Sequence, residues 1–228
     1  KLSMTSDCVI TSLANSSIKS SFLSSKSLFV SFIDVFCTKS QIFCLSLIPK
    51  KMITLYLARH GQTEENIARI FQGHMPGTLT VEGVAQAEAL RDTLQDIPLD
   101  AVVSSDLKRC VDTARIALEG RNLPWEKTIL LREIDWGSWT GLAIKDVDLQ
   151  HFPADVETEA MLYERAGRFV DYLKERYDGK RVLAVGHGLI NRAVQAHLQG
   201  VTLEHLRSVP KMNNAELRRF QLCSANRC

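Results

Sequence analysis

No run of apolar residues in this chain reaches the ~18 that a membrane-crossing helix needs, so no such helix is expected. An excess of charge of one sign is also missing. The 28 Lys and Arg nearly balance 26 Asp and Glu, and a formal net charge of +2 provides no electrostatic footprint for nucleic acid. There are only 6 cysteines; Cys110, Cys223 and Cys228 have no paired spacing, and no C-x-x-C occurs. Neither a disulfide framework nor a zinc or redox motif follows, and a reducing compartment, the cytoplasm, fits best. No internal repeat is visible. G-x-x-x-x-G-K-[ST], H-E-x-x-H and G-x-S-x-G are all absent, which removes the P-loop, the zinc protease and the serine hydrolase elbow. What is present is 45% hydrophobic and 24% charged over 228 residues, enough for one domain with a substantial core and unlike collagen, coiled coil or a disordered chain.

That average joins two dissimilar stretches. Residues 1–51 contain six Lys and two Asp, a net of +4, with no Arg, Glu or Gly, and the remainder carries 22 basic and 24 acidic residues, a net of −2. The leader is rich in Ser, and its apolar residues keep neither a period of 3.6 nor an alternation. A secretory signal is opposed by Asp34, which splits the apolar stretch. A transit peptide is opposed by the lack of Arg. The favoured expectation is that 1–51 is a non-native or disordered leader, because Met52 stands directly before a strand-like run. The expected domain is then 52–222, with 223–228 a disordered tail.

From Ile53 onward, strand-like and helix-like segments alternate. Ile53 to Ala58 is a short β-rich run. Thr80 offers an N-cap to a helix reaching about Gln95, with Val84, Ala87, Leu90 and Leu94 as its inner stripe. Leu99 to Val103 reads as a strand, and helical spacing resumes near Leu107 and closes at Gly120. Thr128 to Leu131 is a third strand candidate. A long helix spans about Glu157 to Tyr177. Arg181 to Val185 has the unbroken apolar character of a buried parallel strand, Leu189 to Gln199 is helical, and Ala215 to Leu222 alternates as a last strand. This order predicts an α/β fold: a three-layer α/β/α sandwich around a mostly parallel central sheet.

In open α/β sheets ligands bind beyond the carboxyl ends of the strands. Here those ends carry Arg59-His60, Ser104 through Arg109, Glu133 and His187. Two guanidiniums beside two imidazoles suit a dianionic oxygen cluster, since Arg matches phosphate bidentately. Gly61 and Gly188 permit close backbone approach, and the turn into the Leu189 helix aims N–H groups at an anion. A neutral histidine can accept a phosphoryl group and pass it to water, while a carboxyl group serves as acid and then base. No metal or other cofactor is required by this set.

The run Leu57-Ala-Arg59-His60-Gly61-Gln-Thr63-Glu-Glu-Asn66 resembles the R-H-G-x-T-x-x-N signature of the histidine phosphatase superfamily, phosphoglycerate-mutase-like branch 1. The resemblance continues in order through Phe71-Gln72-Gly73, Leu79 to Ala87, Ser104 to Ala114, Leu131 to Gly141 and Val185 to Gly188, spanning about 52–222. It implies a phosphoglycerate-mutase-like fold, with His60 as the phosphorylated nucleophile and Glu133 as acid–base. Arg59, Arg109 and His187 would hold the phosphoryl oxygens, and Asn66, Gln72, Gly73, Gly188 and Leu189 would line the phosphate or substrate pocket. The implied activity is metal-independent hydrolysis of a small phosphorylated metabolite by a monomer or homodimer. The alternatives are a phosphoglycerate mutase and a catalytically silent phosphate-binding protein. The segment from Trp139 to Glu157 is short for the family, keeping only Glu157-Thr158 and Arg165 of a longer pattern, which argues for an open site and hydrolysis.

Plainer readings stand beside these. Asp135 competes with Glu133 as the acid. His74, His151, His197 and His205 read as surface residues, Trp125, Trp136 and Trp139 as packing, with Trp136 or Trp139 at the pocket border, and Cys110 as an apolar helix filler. Cys110 to Arg115 is one residue short of the C-x5-R phosphate loop, and Asp146-Val-Asp148 lacks the strand an aspartyl phosphatase places before it.

Overall fold

A computed structural model describes residues 52–223. β1 (Met52–Arg59) leads into one short helical turn, α1 (Glu64–Ile67), followed by α2 (Val81–Leu94), β2 (Ala101–Ser105), α3 (Lys108–Ala117) and β3 (Trp125–Thr128). After three short 3-10 turns come α4 (Glu159–Arg176), β4 (Arg181–Gly186), α5 (Gly188–Gln199) and β5 (Leu217–Cys223). The strands lie side by side in the order β3-β2-β4-β1-β5, parallel except for β5, which runs antiparallel along β1.

The central strands read as unbroken apolar runs because both of their faces are covered. Alternate side chains point to opposite faces. Ile53, Leu55, Leu57 and Ala184 meet Phe169, Leu173, Ala193 and Val194 of α4 and α5. Ala58, Leu183 and Val185 meet Leu90, Leu94, Cys110 and Ala114 of α2 and α3 on the other face. Phe169 is fully buried between α4 and the sheet. Phe169→Ala is therefore expected to cost about 3–5 kcal/mol, read as an earlier midpoint in denaturant unfolding, and a cost below about 1 kcal/mol would contradict this packing.

The helix starts follow the sequence signals. Thr80 Oγ1 accepts from Gly83 N–H at 2.9 Å and caps α2, and Thr158 Oγ1 accepts from Met161 N–H at 3.2 Å and caps α4. Three details differ. Val84 is exposed, and Gly83 takes the inward position beside Ala87, Leu90 and Leu94. The third strand is Trp125–Thr128 rather than Thr128 to Leu131. Its pairing with β2 stops at Ser105 and Thr128, where the Thr128 hydroxyl accepts from Leu130 N–H at 3.1 Å and turns the chain into a 3-10 turn. Cys223, assigned above to the tail, pairs with Met52 in β5. The expectations for residues 1–51 and 224–228 lie outside the described residues.

Register then sets the site. Arg59 pairs with Gly186 and Ser104 with Val185, so His60, His187 and Ser105 emerge together at the carboxyl edge of three adjacent strands.

Candidate active site

A cavity of about 140 Å³ opens at that edge, lined by Arg59, His60, Asn66, Gln72, Gly73, Arg109, Glu133 and Leu189 together with Trp136 and other apolar side chains. His60 is almost fully buried in its wall. Its Nδ1 lies 2.7 Å from Gly61 O. A carbonyl only accepts, so Nδ1 carries the proton, and Nε2 keeps its lone pair with no hydrogen-bond partner among the described residues. The loop after β1 cannot drift: His60 N–H donates to Gly186 O at 3.0 Å, and Ala215 N–H and Asn214 Nδ2 donate to His60 O at 3.1 and 3.2 Å.

Close behind, Gly61 and Gly83 place backbone directly on backbone. A Cβ on Gly61 would run into Gly83 O, and one on Gly83 would run into Gln62 O. The N-terminus of α2 can approach the histidine loop only because both positions are glycine.

Arg109 is buried, and each of its three nitrogens donates one hydrogen bond. Its Nε donates to His187 Nδ1 at 3.0 Å, and its two terminal nitrogens donate to Met75 O at 2.5 Å and Gly73 O at 2.9 Å. Because Arg can only donate, His187 Nδ1 is an acceptor, and its Nε2 carries the proton toward Ser105 Oγ at 2.9 Å. Both imidazoles are thus neutral. Burial, with the Arg109 and Arg59 charges nearby, holds His60 well below the ordinary histidine range, and burial with Arg109, His60 and Arg59 does the same to His187.

This has a stability consequence of fixed sign. The unfolded chain takes up protons at these two histidines below about pH 6.5, whereas the folded chain does not. Their stabilisation is complete above that pH and is lost as pH falls, by up to about 1.4 kcal/mol per unit for each. Urea unfolding at pH 7.5 and 5.5 is expected to show this fall, and His60→Gln should lessen it; an unchanged slope in the variant would contradict the neutral assignment.

Arg59 donates from one terminal nitrogen to Met212 O at 2.8 Å, while its buried Nε has no partner among the described residues. Buried donors are ordinarily paired, so this one marks a position for an external acceptor. Among the described residues Gln72 Oε1 is likewise buried without a partner, its Nε2 being held by Thr63 Oγ1 at 2.8 Å. Asn66 Oδ1 accepts from Thr63 N–H at 3.2 Å and from Asn214 Nδ2 at 3.3 Å.

Glu133 sits on the amino end of α5. Its carboxylate accepts from Leu189 N–H at 3.1 Å, Ile190 N–H at 3.2 Å and Ile134 N–H at 3.1 Å. A Cβ on Gly188 would stand 3.5 Å from Glu133 Oε2 and 3.6 Å from the Arg59 guanidinium carbon, so these two side chains flank that residue. The loop carrying Glu133 is pinned by Arg165, which donates to Leu130 O at 3.2 Å, Arg132 O at 2.6 Å and Glu133 O at 3.3 Å while paired with Glu157 at 2.7 Å. Asp135, the competing acid, is absent from the cavity wall; it accepts from Gly137 N–H at 2.9 Å and lies 3.6 Å from His74 Nδ1.

Of the residues singled out from the sequence, His60, Arg59, Arg109, Glu133, Asn66, Gln72, Gly73 and Leu189 therefore share one cavity. His187 and Gly188 do not line it. His187 lies behind Arg109 with both ring nitrogens engaged, and the N–H groups expected to face an anion are taken by the Glu133 carboxylate. His74 and His197 are not free surface residues. His74 Nε2 donates to Glu133 O at 3.0 Å, and His197 stacks on Tyr163 and donates to its carbonyl at 2.8 Å. Asn214 went unnoticed in the sequence, where nothing but its place before the last strand marks it. Cys110 is buried with Sγ toward Gly186 O at 3.2 Å, and burial pushes its thiol far up, which disposes of a cysteine nucleophile. Among the described residues, no group of three His, Cys, Asp or Glu is placed to share a metal ion, and no helix is long and apolar enough to cross a membrane.

A strand-edge cavity with a neutral buried histidine, two arginines and a carboxylate is chemically suited to a phosphoryl group. Comparison with known proteins gives the family: residues 55–226 match the histidine phosphatase superfamily (branch 1), and the chain belongs to it. Over 164 residues the chain is 32% identical to an adenosylcobalamin/alpha-ribazole phosphatase of Escherichia coli, covering 66% of this chain and 81% of that protein. It is 31% identical to phosphoserine phosphatase 1 of Hydrogenobacter thermophilus, covering 67% and 79%. The solved structure of Bacillus stearothermophilus YhfR superimposes with a TM-score of 0.70 at 31% identity, covering 73% of this chain and 90% of that one.

Proposed function

We propose that this protein hydrolyses a small phosphorylated metabolite, without a metal ion, through a phosphohistidine at His60. The observation that carries the reading is the tautomer of His60: Nδ1–H fixed on Gly61 O, Nε2 unoccupied, in a cavity walled by Arg59 and Arg109. In the first step the Nε2 lone pair attacks phosphorus, and the bond from phosphorus to the ester oxygen breaks. Glu133 gives its proton to that leaving oxygen. In the second, a water replaces the alcohol, Glu133 takes one of its protons, the P–N bond breaks, and inorganic phosphate leaves with His60 neutral again. The Arg59 Nε, unpartnered before substrate arrives, meets the charge on the phosphoryl oxygens. Arg109 contributes a fixed positive field, and His187 acts through Arg109 by holding its Nε.

Esters of the kinds named in the relatives, alpha-ribazole phosphate and phosphoserine, are the first substrates to try. The deciding experiment is rapid quench with a ³²P-labelled aryl phosphate in excess chelator. Label bound to the protein, stable in alkali, lost in acid and mapped to His60, is the expected result. Sustained turnover without any labelled protein, or turnover abolished by chelator, would overturn the mechanism.

A further inference from the structure

A second cavity, of about 530 Å³, adjoins the phosphate site and shares Trp136 and Leu189 with it as common walls. That volume suits a ligand of small-molecule size, and its walls are mainly apolar, including Phe152, Val156, Leu162 and Leu206. It also holds four charged residues. Two of them cancel, since Arg207 is bound to Glu159 at 2.9 Å. Glu157 is neutralised from outside the cavity by Arg165, which meets it with two nitrogens at 2.9 and 2.7 Å. Arg192 remains. Its Nε is buried with no partner among the described residues. It stands three positions after Leu189 on α5, hence on the same helix face as the shared wall.

An apolar chamber next to a phosphate site, with a guanidinium in its wall whose Nε is buried without a partner among the described residues, has a definite complement. We propose that this cavity receives the alcohol portion of the substrate, and that this portion is a ring-sized apolar body bearing a carboxylate, which Arg192 binds. The proposal rests on the phosphatase reading above. A phosphate bound beside His60 places the rest of the ester against Trp136 and Leu189, the two side chains that both cavities share. A flat apolar body buries its faces there, and a carboxylate at its far end supplies the acceptor that Arg192 Nε lacks.

The test has two arms, so that failure of this assignment and failure of the phosphatase reading are told apart. In the first, 2-naphthoate, which carries no phosphate, is titrated calorimetrically into wild type, Arg192→Met and Arg192→Lys. Binding about tenfold weaker in Arg192→Met, with Arg192→Lys between, is expected, as for loss of one charge-assisted hydrogen bond. In the second arm, kcat/KM is measured for 4-carboxyphenyl phosphate and for phenyl phosphate. Wild type is expected to favour the carboxylated ester, and the ratio should fall about tenfold in Arg192→Met. Leaving-group differences between the esters cancel when that ratio is compared across the two proteins, and a general loss of folding lowers both rates without moving it. Equal naphthoate affinity in wild type and Arg192→Met, or no naphthoate binding at all, overturns the assignment whatever the rates show. Arg192-dependent naphthoate binding by a protein that hydrolyses neither ester overturns the phosphatase reading instead and leaves the carboxylate site standing.

Discussion

His60→Ala is expected to lower kcat for any phosphomonoester by at least about 10⁴-fold, because removal of a covalent nucleophile leaves only binding and electrostatic assistance. The side chain is almost fully buried and its Nδ1 is committed to Gly61 O, which leaves Nε2 as the nitrogen that the substitution removes from the cavity. Phosphate affinity should change much less, since Arg59 and Arg109 are anchored independently on Met212 O, Met75 O and Gly73 O. Competitive inhibition of the wild type by inorganic phosphate, set against direct phosphate binding to the variant, separates the two quantities. A kcat within tenfold of wild type would remove His60 from the chemistry. A comparable collapse in phosphate affinity would show that the variant damages the cavity rather than the nucleophile.

The second large effect belongs to Glu133. Glu133→Gln should reduce kcat by about 10²–10⁴-fold for alkyl phosphates, whose leaving oxygens need a proton, and far less for 4-nitrophenyl phosphate, whose leaving group departs as the anion. This leaving-group dependence is what distinguishes a proton donor from a residue that merely holds α5 in place. Gln retains an oxygen for Leu189 N–H and Ile190 N–H, so unfolding should shift by no more than about 1 kcal/mol. Asp135→Asn is the control, because that carboxylate is engaged with Gly137 N–H outside the cavity wall. If Asp135→Asn showed the leaving-group dependence and Glu133→Gln did not, the acid would be Asp135.

The layered architecture and most of the cavity wall were legible in the sequence, because both rest on short-range rules. Apolar runs such as Arg181 to Val185 announce strands covered on both faces, and strand ends in an open α/β sheet announce where a ligand goes. What escaped was whatever depends on which acceptor a given donor finds. Nothing in the order of residues says that Leu189 N–H and Ile190 N–H take the Glu133 carboxylate, or that His187 turns toward Arg109 and Ser105 instead of the cavity. His74 looked like a surface residue because its partner, Glu133 O, is a backbone carbonyl 59 positions away. The third strand was shifted because β propensity cannot register a hydroxyl that closes a local turn, as Thr128 does with Leu130.

The meeting of Gly61 with Gly83 divides the neighbourhood of the cavity into two materials. Behind His60 the supporting boundary is made where main chains touch, with no side chain between them whose size could be traded for another. On the side of Trp136, Phe152, Val156 and Arg192 it is made of side chains. Substitution can therefore enlarge, shrink or recharge the second boundary a few atoms at a time, while the first admits no intermediate sizes: any residue larger than glycine at either position must part the α2 start from the loop that holds the nucleophile. A library of variants aimed at new esters should accordingly be drawn from the second wall and leave 61 and 83 untouched.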